Sequence, residues 1–149
     1  MERVLKRRLS GEAFGSVSKS RSRNMAAIRG RGNRSTERCL RAALIRAGVT
    51  GWRLHPKSLP ARPDFLFAAA KLAVFVDGCF WHGCPRCYVP PKSRQGYWHA
   101  KIGLNRARDR RNAAAVRRAG YRVLRVWEHD LKRNPSACAE RIIRRSKAG

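Results

Sequence analysis

Residues 76–87 concentrate side chains that can bind a metal or transfer a proton. These side chains are Asp77, Cys79, His82, Cys84 and Cys87. Their spacing includes a Cys-x2-Cys knuckle, which is typical of tetrahedral zinc sites, although a redox pair or plain reduced thiols would also fit it. A tetrahedral site needs a fourth ligand, and the best candidate is His129, just past a strand predicted to neighbour the one before the cysteines. With four protein ligands the site would have no open position and would be structural.

Two aspartates lie where a second metal could bind. Asp64 precedes the apolar residues 65–67, and Asp77 follows the apolar run 72–76, so each lies in or at the end of a predicted strand. Carboxylates at strand ends suit Mg²⁺, which binds through one or two carboxylates and substrate phosphate. A turn or strand-edge role is the alternative for either residue. The pattern predicts a magnesium site with Asp64 and Asp77 as ligands, suited to phosphodiester hydrolysis.

Three further residues are candidates for the surroundings of that metal. His82 follows Asp77 by five residues and could activate the attacking water, or it could instead be a zinc ligand. Asp109 and Asn105 interrupt the apolar stripe of a predicted helix, either as solvated polar groups or with Asp109 orienting His82. Glu37 shares the buried face of an earlier helix, where it either stabilises the helix start or belongs to the site.

Two aromatic pairs flank the cysteine-rich residues, Phe80 with Trp81 and Tyr97 with Trp98. We expect one member of each pair to pack in the core, but burying all four would be costly in so small a domain. Apolar side chains that enter a base step unstack it and kink DNA, and aromatic rings stack on exposed bases. Core packing and insertion between bases therefore both stay open.

The charge of the chain indicates a polyanionic partner. Its 149 residues carry 35 Lys and Arg against 9 Asp and Glu, a formal net charge of +26. Nucleic acid can neutralise such a surface, with counterion release supplying salt-sensitive affinity. No apolar stretch approaches the roughly 20 residues of a membrane span. The start of the chain lacks the apolar centre of a secretory signal, which predicts an intracellular, reducing location, with an organellar transit peptide as the alternative.

The elements that must position these residues form one α/β domain at 34–149. Residues 1–33 are rich in Arg, Ser and Gly, which predicts a flexible basic arm. The predicted helices lie at 35–47, 98–119 and 135–145, and the predicted strands at 52–54, 63–67, 72–76 and 121–127. A strand, a long helix and a strand imply a right-handed parallel crossover. We therefore predict a small mixed sheet flanked by helices.

Several sequence blocks, in the same order along the chain, resemble those of the very short patch repair (mismatch) endonucleases. The blocks lie at 22–28, 58–65, 78–82, 98–111 and 126–128. The resemblance implies a restriction-endonuclease-like fold and a monomeric bacterial enzyme of the cytoplasm, associated with the nucleoid. Such an enzyme nicks one strand of double-stranded DNA beside a T:G mismatch left by deamination of 5-methylcytosine. Mismatch-repair proteins are then possible partners.

The resemblance also implies roles for individual residues. Asp64 would be the central Mg²⁺ ligand and His82 the general base, with Glu37 and Asp109 supporting the site. The zinc ligands would be Cys79, Cys84, Cys87 and His129. The residues that contact DNA would be Phe80, Trp81 and Trp98 as wedges beside the mismatch, and Met25 and Ile28 of the N-terminal segment that engages the duplex. Asn105 is a further candidate for DNA binding.

Some positions depart from the family pattern. Val76 and Asp77 stand where the best-known member has Thr-His, so Asp77 would add a second carboxylate to the magnesium site. Cys84 and His129 replace a His and a Cys, an exchange that tetrahedral zinc tolerates. The basic extension before Ser20 has no counterpart in the family pattern. Two rival functions stay open, namely a restriction-type or mobile-element endonuclease without mismatch preference and an inactive zinc-stabilised DNA-binding protein.

Overall fold

The computed structural model describes residues 35–149. The predicted arm at 1–33, with Met25 and Ile28, lies outside these residues. The described elements, in chain order, are α1 (35–46), β1 (Trp52–Leu54), β2 (Phe65–Phe67), β3 (Leu72–Asp77), α2 (Gln95–Arg118), β4 (Arg122–Trp127), α3 (Glu128–Arg133) and α4 (Pro135–Lys147). Within this part of the chain, no helix has both the length and the apolar character needed to cross a membrane.

The four strands form one mixed sheet in the order β1-β2-β3-β4. Strands β1 and β2 pair antiparallel, as do β2 and β3, whereas β3 and β4 pair parallel. All six residues of β3 are buried, as expected of an inner strand that is apolar on both faces. The parallel pair is joined through α2, so the predicted strand–helix–strand crossover is present and the α/β prediction is confirmed.

The alternation of side chains along β3 creates two separate cores. Leu72, Val74 and Val76 belong to the larger core, which also contains Leu44 of α1 and Ile142 of α4. Ala73 and Phe75 point to the opposite face, where they share a smaller core with Val116 of α2. Helices therefore cover both faces of the sheet. Residues of odd number at the end of β3 face α2.

The helix ends follow local sequence signals. Gly120, with φ +89°, ends α2 in a left-handed conformation, and the Tyr121 N–H returns to the Val116 carbonyl at 3.3 Å. Asn134 caps α4 by accepting the Ala137 N–H at 3.1 Å. Helix α2 begins at Gln95, three residues before its predicted start.

The short helix α3 was not predicted. Its first turn carries Glu128 and Asp130 and its last turn carries Lys132 and Arg133, which is the charge order that favours a helix. Because α3 follows β4 directly, it fixes the position of His129 just beyond the sheet.

Candidate active site and metal-binding clusters

The candidate site lies at one end of the two inner strands of the sheet, where β3 ends and β2 begins. These two strands run antiparallel, so Asp64, directly before β2, lies beside the last residues of β3. The Val76 N–H donates a hydrogen bond of 2.7 Å to Asp64 Oδ2. One carboxylate oxygen is thereby anchored to the sheet, and the other is left for a neighbouring group.

Asp64 belongs to a cluster that sequence reasoning did not anticipate in full. The antiparallel register pairs Leu54 with Phe65, so His55 lies opposite Asp64 just beyond the paired residues. The His55 Nε2 atom lies 2.9 Å from Glu37 Oε1, and its Nδ1 atom lies 4.0 Å from Asp64 Oδ1. One ligand atom from each of the three side chains lies within 4.8 Å of those of the other two. The predicted proximity of Glu37 to Asp64 is therefore present, and His55 joins them.

The electrostatic surroundings of Asp64 favour a bound cation. Burial raises the pKa of its carboxyl to about 6, and the nearby charge of Glu37 acts in the same direction. The Val76 hydrogen bond and the charge of His55 oppose this effect without cancelling it. Two carboxylates with restricted access to water are costly to keep ionised unless a positive charge compensates them. A divalent ion would supply that charge.

His82 is held by Asp109 of α2, as predicted. The His82 Nδ1 atom lies 2.7 Å from Asp109 Oδ2 and 3.6 Å from Asp77 Oδ1. Burial by itself lowers the pKa of the imidazole, but the Asp109 hydrogen bond and the charges of the two aspartates outweigh it and raise the pKa overall. The ring is thus fixed through Nδ1, which leaves Nε2 as the nitrogen that can exchange a proton with a reacting group.

Asp77 has partners other than those predicted. Its side chain is almost fully buried and pairs with the guanidinium of Arg125 on β4, besides its approach to His82. It is not part of the cluster of Glu37, His55 and Asp64 among the described residues. Asp77 points toward α2 because it shares the odd-numbered face of β3, so its carboxylate meets Arg125 and the His82 network. This geometry does not support a second magnesium carboxylate at Asp77.

Arg125 is a residue that sequence reasoning missed. It lies on the α2 face of the sheet, with its guanidinium 5.4 Å from the centre of the Phe75 ring, and it donates to the Asp109 carbonyl at 3.2 Å. The available signal was the charge itself, since two arginines, Arg122 and Arg125, interrupt an otherwise apolar strand. A buried carboxylate such as Asp77 needs a partner of this kind.

The register of the parallel strands brings the four predicted zinc ligands together. Asp77 of β3 pairs with Trp127 of β4. Two residues beyond the end of each strand, Cys79 therefore faces His129. The His129 Nδ1 atom lies 3.3 Å from Cys79 Sγ and 3.5 Å from Cys84 Sγ. The structure therefore places His129 beside the cysteine loop, and its role as a zinc ligand stays a prediction.

Three thiols and one imidazole form the donor set of this Cys3His cluster, which consists of Cys79, Cys84, Cys87 and His129. Their ligand atoms all lie within 4.8 Å of one another. This is a tetrahedral donor set that fits zinc, with all four positions supplied by protein. His82 lies outside the cluster and pairs with Asp109 instead, which removes the alternative of a His82 zinc ligand.

Neighbouring side chains hold the cluster and its loop. The His129 Nε2 atom lies 3.2 Å from Asp130 Oδ1, so a carboxylate orients the ring with Nδ1 toward the thiols. Arg106 of α2 donates to the Gly83 carbonyl at 2.6 and 3.2 Å. Gly83 has φ +58°, and a Cβ atom there would lie 2.6 Å from both Arg106 and Ile102, so only glycine fits.

The flanking aromatic residues form a single half-buried cluster. Phe80 is central, with ring centroids 5.0 Å from Trp81, 5.1 Å from Trp98 and 5.8 Å from Tyr88. Tyr97 contacts Trp98 at 5.1 Å. Each of these residues keeps part of its surface accessible, which leaves the cluster able both to pack internally and to contact a ligand.

The structure gives Asn105 a different role from the predicted DNA contact. Its side chain is buried on α2, and its Nδ2 donates to the Trp81 carbonyl at 2.8 Å. Asn105 therefore supports the backbone that carries the aromatic residues. The interruption of the apolar stripe has a structural explanation at this position, whereas at Asp109 it serves His82.

Known proteins resemble this chain over most of its length. The family described as DNA mismatch endonuclease Vsr matches residues 16–88. The type II nicking enzyme V.NaeI of Lentzea aerocolonigenes is 41% identical over 128 residues, which are 81% of this chain and 75% of that enzyme. The type II nicking enzyme V.XorIIP of Xanthomonas oryzae pv. oryzae is 46% identical over 101 residues, or 66% of this chain and 73% of that enzyme. The DNA mismatch endonuclease Vsr of Escherichia coli is 37% identical over 128 residues, or 85% of this chain and 80% of that protein.

This chain belongs to the very short patch repair endonuclease family. As a family member it is a DNA endonuclease, and DNA is its macromolecular partner. The family resemblance seen in the sequence is therefore confirmed. The mixed sheet flanked by helices is consistent with the restriction-endonuclease-like fold expected of the family. The net charge of +26 suits a substrate with a phosphate backbone.

Proposed function

We propose that this protein nicks one DNA strand beside a T:G mismatch that arises from deamination of 5-methylcytosine, in a reaction that depends on Mg²⁺. The observation that carries the proposal is the convergence of three groups at one end of the sheet. These groups are the Glu37–His55–Asp64 cluster, the His82–Asp109 pair and the aromatic cluster around Phe80. A metal site, a candidate base and a candidate surface for unstacked bases thus belong to one edge of the fold.

The proposed catalytic roles follow from the contacts of each side chain. Asp64, assisted by Glu37, would hold Mg²⁺, which when bound polarises a phosphoryl oxygen and stabilises the leaving oxygen. His82 would accept a proton from the attacking water at Nε2. Asp109 fixes the ring through Nδ1, and Asp77 with Arg125 completes the charges around it. Aligning a proton acceptor in this way contributes about 10²- to 10⁴-fold to a rate.

The preference for a mismatch would depend on the aromatic cluster. Phe80, Trp81 and Trp98 would enter the duplex, and unstacking costs least where the bases are mispaired. The name of the Escherichia coli relative, a DNA mismatch endonuclease, supports this preference. Met25 and Ile28, which precede the described residues, would contact the duplex beside the site.

The remaining parts of the proposal concern assembly and location. Cys79, Cys84, Cys87 and His129 would bind a structural zinc ion, since their donor set fits it. The enzyme would act as a monomer, as expected of the family. It would act at the bacterial nucleoid in the cytoplasm, because the proposed substrate is chromosomal DNA. Mismatch-repair proteins would be its partners.

A nicking assay tests the proposal directly. Duplexes labelled separately on each strand, with a T:G pair, another mismatch or a matched pair at the same position, are incubated with Mg²⁺ or without added metal. The proposal predicts Mg²⁺-dependent cleavage of one strand of the T:G duplex, lost in Asp64→Ala. A matched control is Glu140→Gln, which changes an exposed carboxylate on α4 and should leave the rate unchanged.

Two other results would contradict the proposal in different ways. Equal cleavage of matched DNA would indicate a restriction-type or mobile-element endonuclease without mismatch preference. Binding of DNA without cleavage in any divalent metal would indicate an inactive DNA-binding protein.

A further inference from the structure

His55 occupies a position that none of the proposed roles explains. The register of β1 and β2 sets it opposite Asp64, and its two ring nitrogens face the carboxylates of Glu37 and Asp64 at 2.9 and 4.0 Å. About half of its side chain is exposed, so burial in the core does not account for its placement. The imidazole lies between the two acids that we propose as the surroundings of the catalytic metal.

The backbone of His55 also has an unusual conformation. Its φ is +45°, in the left-handed region that residues other than glycine seldom adopt. Such a conformation persists where the surrounding structure enforces it, and it is often found at functional sites. Here the His55 N–H donates to the Asp64 carbonyl at 3.2 Å, and the ring pairs with Glu37 through Nε2 at 2.9 Å, so the backbone and the ring of His55 are each held by one of the two acids. This anchoring directs the imidazole toward the carboxylates.

We propose that His55 supplies a nitrogen ligand to the divalent ion at Glu37 and Asp64, and so shifts the metal preference of the site from Mg²⁺ toward Mn²⁺. This inference rests on the metal site of the proposed function. Mg²⁺ strongly favours oxygen ligands, whereas later divalent metals accept imidazole and bind mixed nitrogen and oxygen sites more tightly. The set of two carboxylates and one imidazole is of that mixed kind, and its ligand atoms are within 4.8 Å of each other before any ion binds.

Mn²⁺ is a suitable probe because it is paramagnetic. The full chain, loaded with zinc and free of DNA, is titrated with Mn²⁺ while electron paramagnetic resonance follows the free ion, and Mg²⁺ is then added as a competitor. Pulsed measurements on the bound ion detect coupling to a coordinated ¹⁴N nucleus. The variants are His55→Gln, Asp64→Asn and His99→Gln, the last an exposed histidine of α2 outside both groups of metal-binding side chains.

The proposal predicts ¹⁴N coupling in the wild-type protein and in His99→Gln, and none in His55→Gln. It also predicts that His55→Gln weakens Mn²⁺ binding by at least about tenfold, since even loss of an outer hydrogen-bond partner of a metal ligand costs that much. Mg²⁺ binding should change less, so the preference for Mn²⁺ over Mg²⁺ should fall. Circular dichroism at increasing temperature verifies that each variant is folded.

The outcomes separate this inference from the proposed metal site. If Asp64→Asn abolishes Mn²⁺ binding but His55→Gln keeps both the affinity and the ¹⁴N signal, the site exists and His55 only hydrogen-bonds to Glu37. If the wild type lacks ¹⁴N coupling, His55 is likewise not a ligand. If Asp64→Asn binds Mn²⁺ as the wild type does, the metal assignment of the proposed function fails and the inference about His55 fails with it.

Discussion

The Cys3His cluster and the Glu37–His55–Asp64 cluster belong to the same sheet but differ in how they are built. Three of the four ligands of the first come from one loop, and the register of two parallel strands adds His129. The second takes one side chain each from α1, the end of β1 and the start of β2. Four protein donors leave no position for substrate, whereas three leave room for phosphate and water. Under the proposed function, this is the difference expected between a structural metal site and a catalytic one.

The surroundings of the two clusters differ in the same sense. Asp130 orients His129, and Glu128 accepts the Cys79 N–H at 3.1 Å, so the donors of the Cys3His cluster are fixed in advance. Asp64, by contrast, carries a carboxyl whose pKa burial raises to about 6. A group held at an energetic cost in the free protein is typical of a functional site. Substitutions at the two clusters should therefore affect stability and activity in opposite proportions.

The largest expected effect is loss of activity at Asp64. Asp64→Asn should lower the nicking rate by at least about a thousandfold, since metal-ion catalysis supplies several kcal/mol and each 1.36 kcal/mol is tenfold. Stability at neutral pH should stay the same or rise, because a buried charge is removed. Single-turnover nicking and urea unfolding measure both quantities. A marked loss of stability would mean that Asp64 serves the fold, and the contrast between the clusters would disappear.

Removal of a buried thiol should have the opposite effect. Cys84→Ser should lower the free energy of unfolding by at least about 3 kcal/mol, since structural zinc contributes directly to folding. Cys84 is almost fully buried, and serine is a poor zinc ligand. Urea unfolding and a colorimetric assay of bound zinc measure the change. Cys39→Ser, a half-buried thiol of α1 outside the cluster, serves as the matched control and should keep its zinc. Equal stability of the two variants would argue against a structural metal.

Asp109 tests the proton-transfer part of the active site without touching either cluster. Asp109→Asn should reduce the nicking rate by about a hundredfold, because His82 loses the carboxylate that orients it. Binding of Mn²⁺ and zinc should not change, since Asp109 belongs to neither group. Asn112→Ala, three residues further along α2, provides the comparison. An unchanged rate in Asp109→Asn would contradict the proposal that the Asp109 carboxylate orients His82 for proton transfer.

The smallest effect concerns the support of the zinc ligands. Asp130→Asn should weaken zinc binding by about tenfold, since a carboxylate that holds a ligating histidine typically contributes that much. Competition with a chromophoric chelator measures the affinity. Mn²⁺ binding at the other cluster should be unaffected. If zinc affinity is retained, the 3.2 Å contact between His129 and Asp130 is incidental.

Residues that are close in sequence were the easiest to assign. The Cys-x4-Cys-x2-Cys spacing, the strand before it and the helix ending at Gly120 all depend on local patterns, and the structure contains each of them. His129 could be assigned because parallel strands end together, a topological rule that needs no side-chain detail. The short helix that carries His129 was missed, since six residues give too weak a periodic signal.

Residues that depend on strand register were harder to assign. His55 lies beside Asp64 only because Leu54 pairs with Phe65, and no local pattern specifies that pairing. Asp77 was assigned to magnesium because it ends a strand. Its side chain, however, lies on the face of the sheet that packs against α2, where it pairs with Arg125. Whether a carboxylate meets a metal or an arginine depends on a neighbour that is distant in the chain.

The sequence by itself determined the family, the basic charge, the order of the strands and longer helices, and the three thiols of the Cys3His cluster. These properties depend on composition and short-range spacing, which a chain carries whether or not it is folded. Only the tertiary structure decided that His55 joins Glu37 and Asp64, that Asp77 pairs with Arg125, and that Asn105 supports the loop. Those outcomes depend on register and on which face of a strand or helix is covered, because polar side chains take the partners that packing brings within reach.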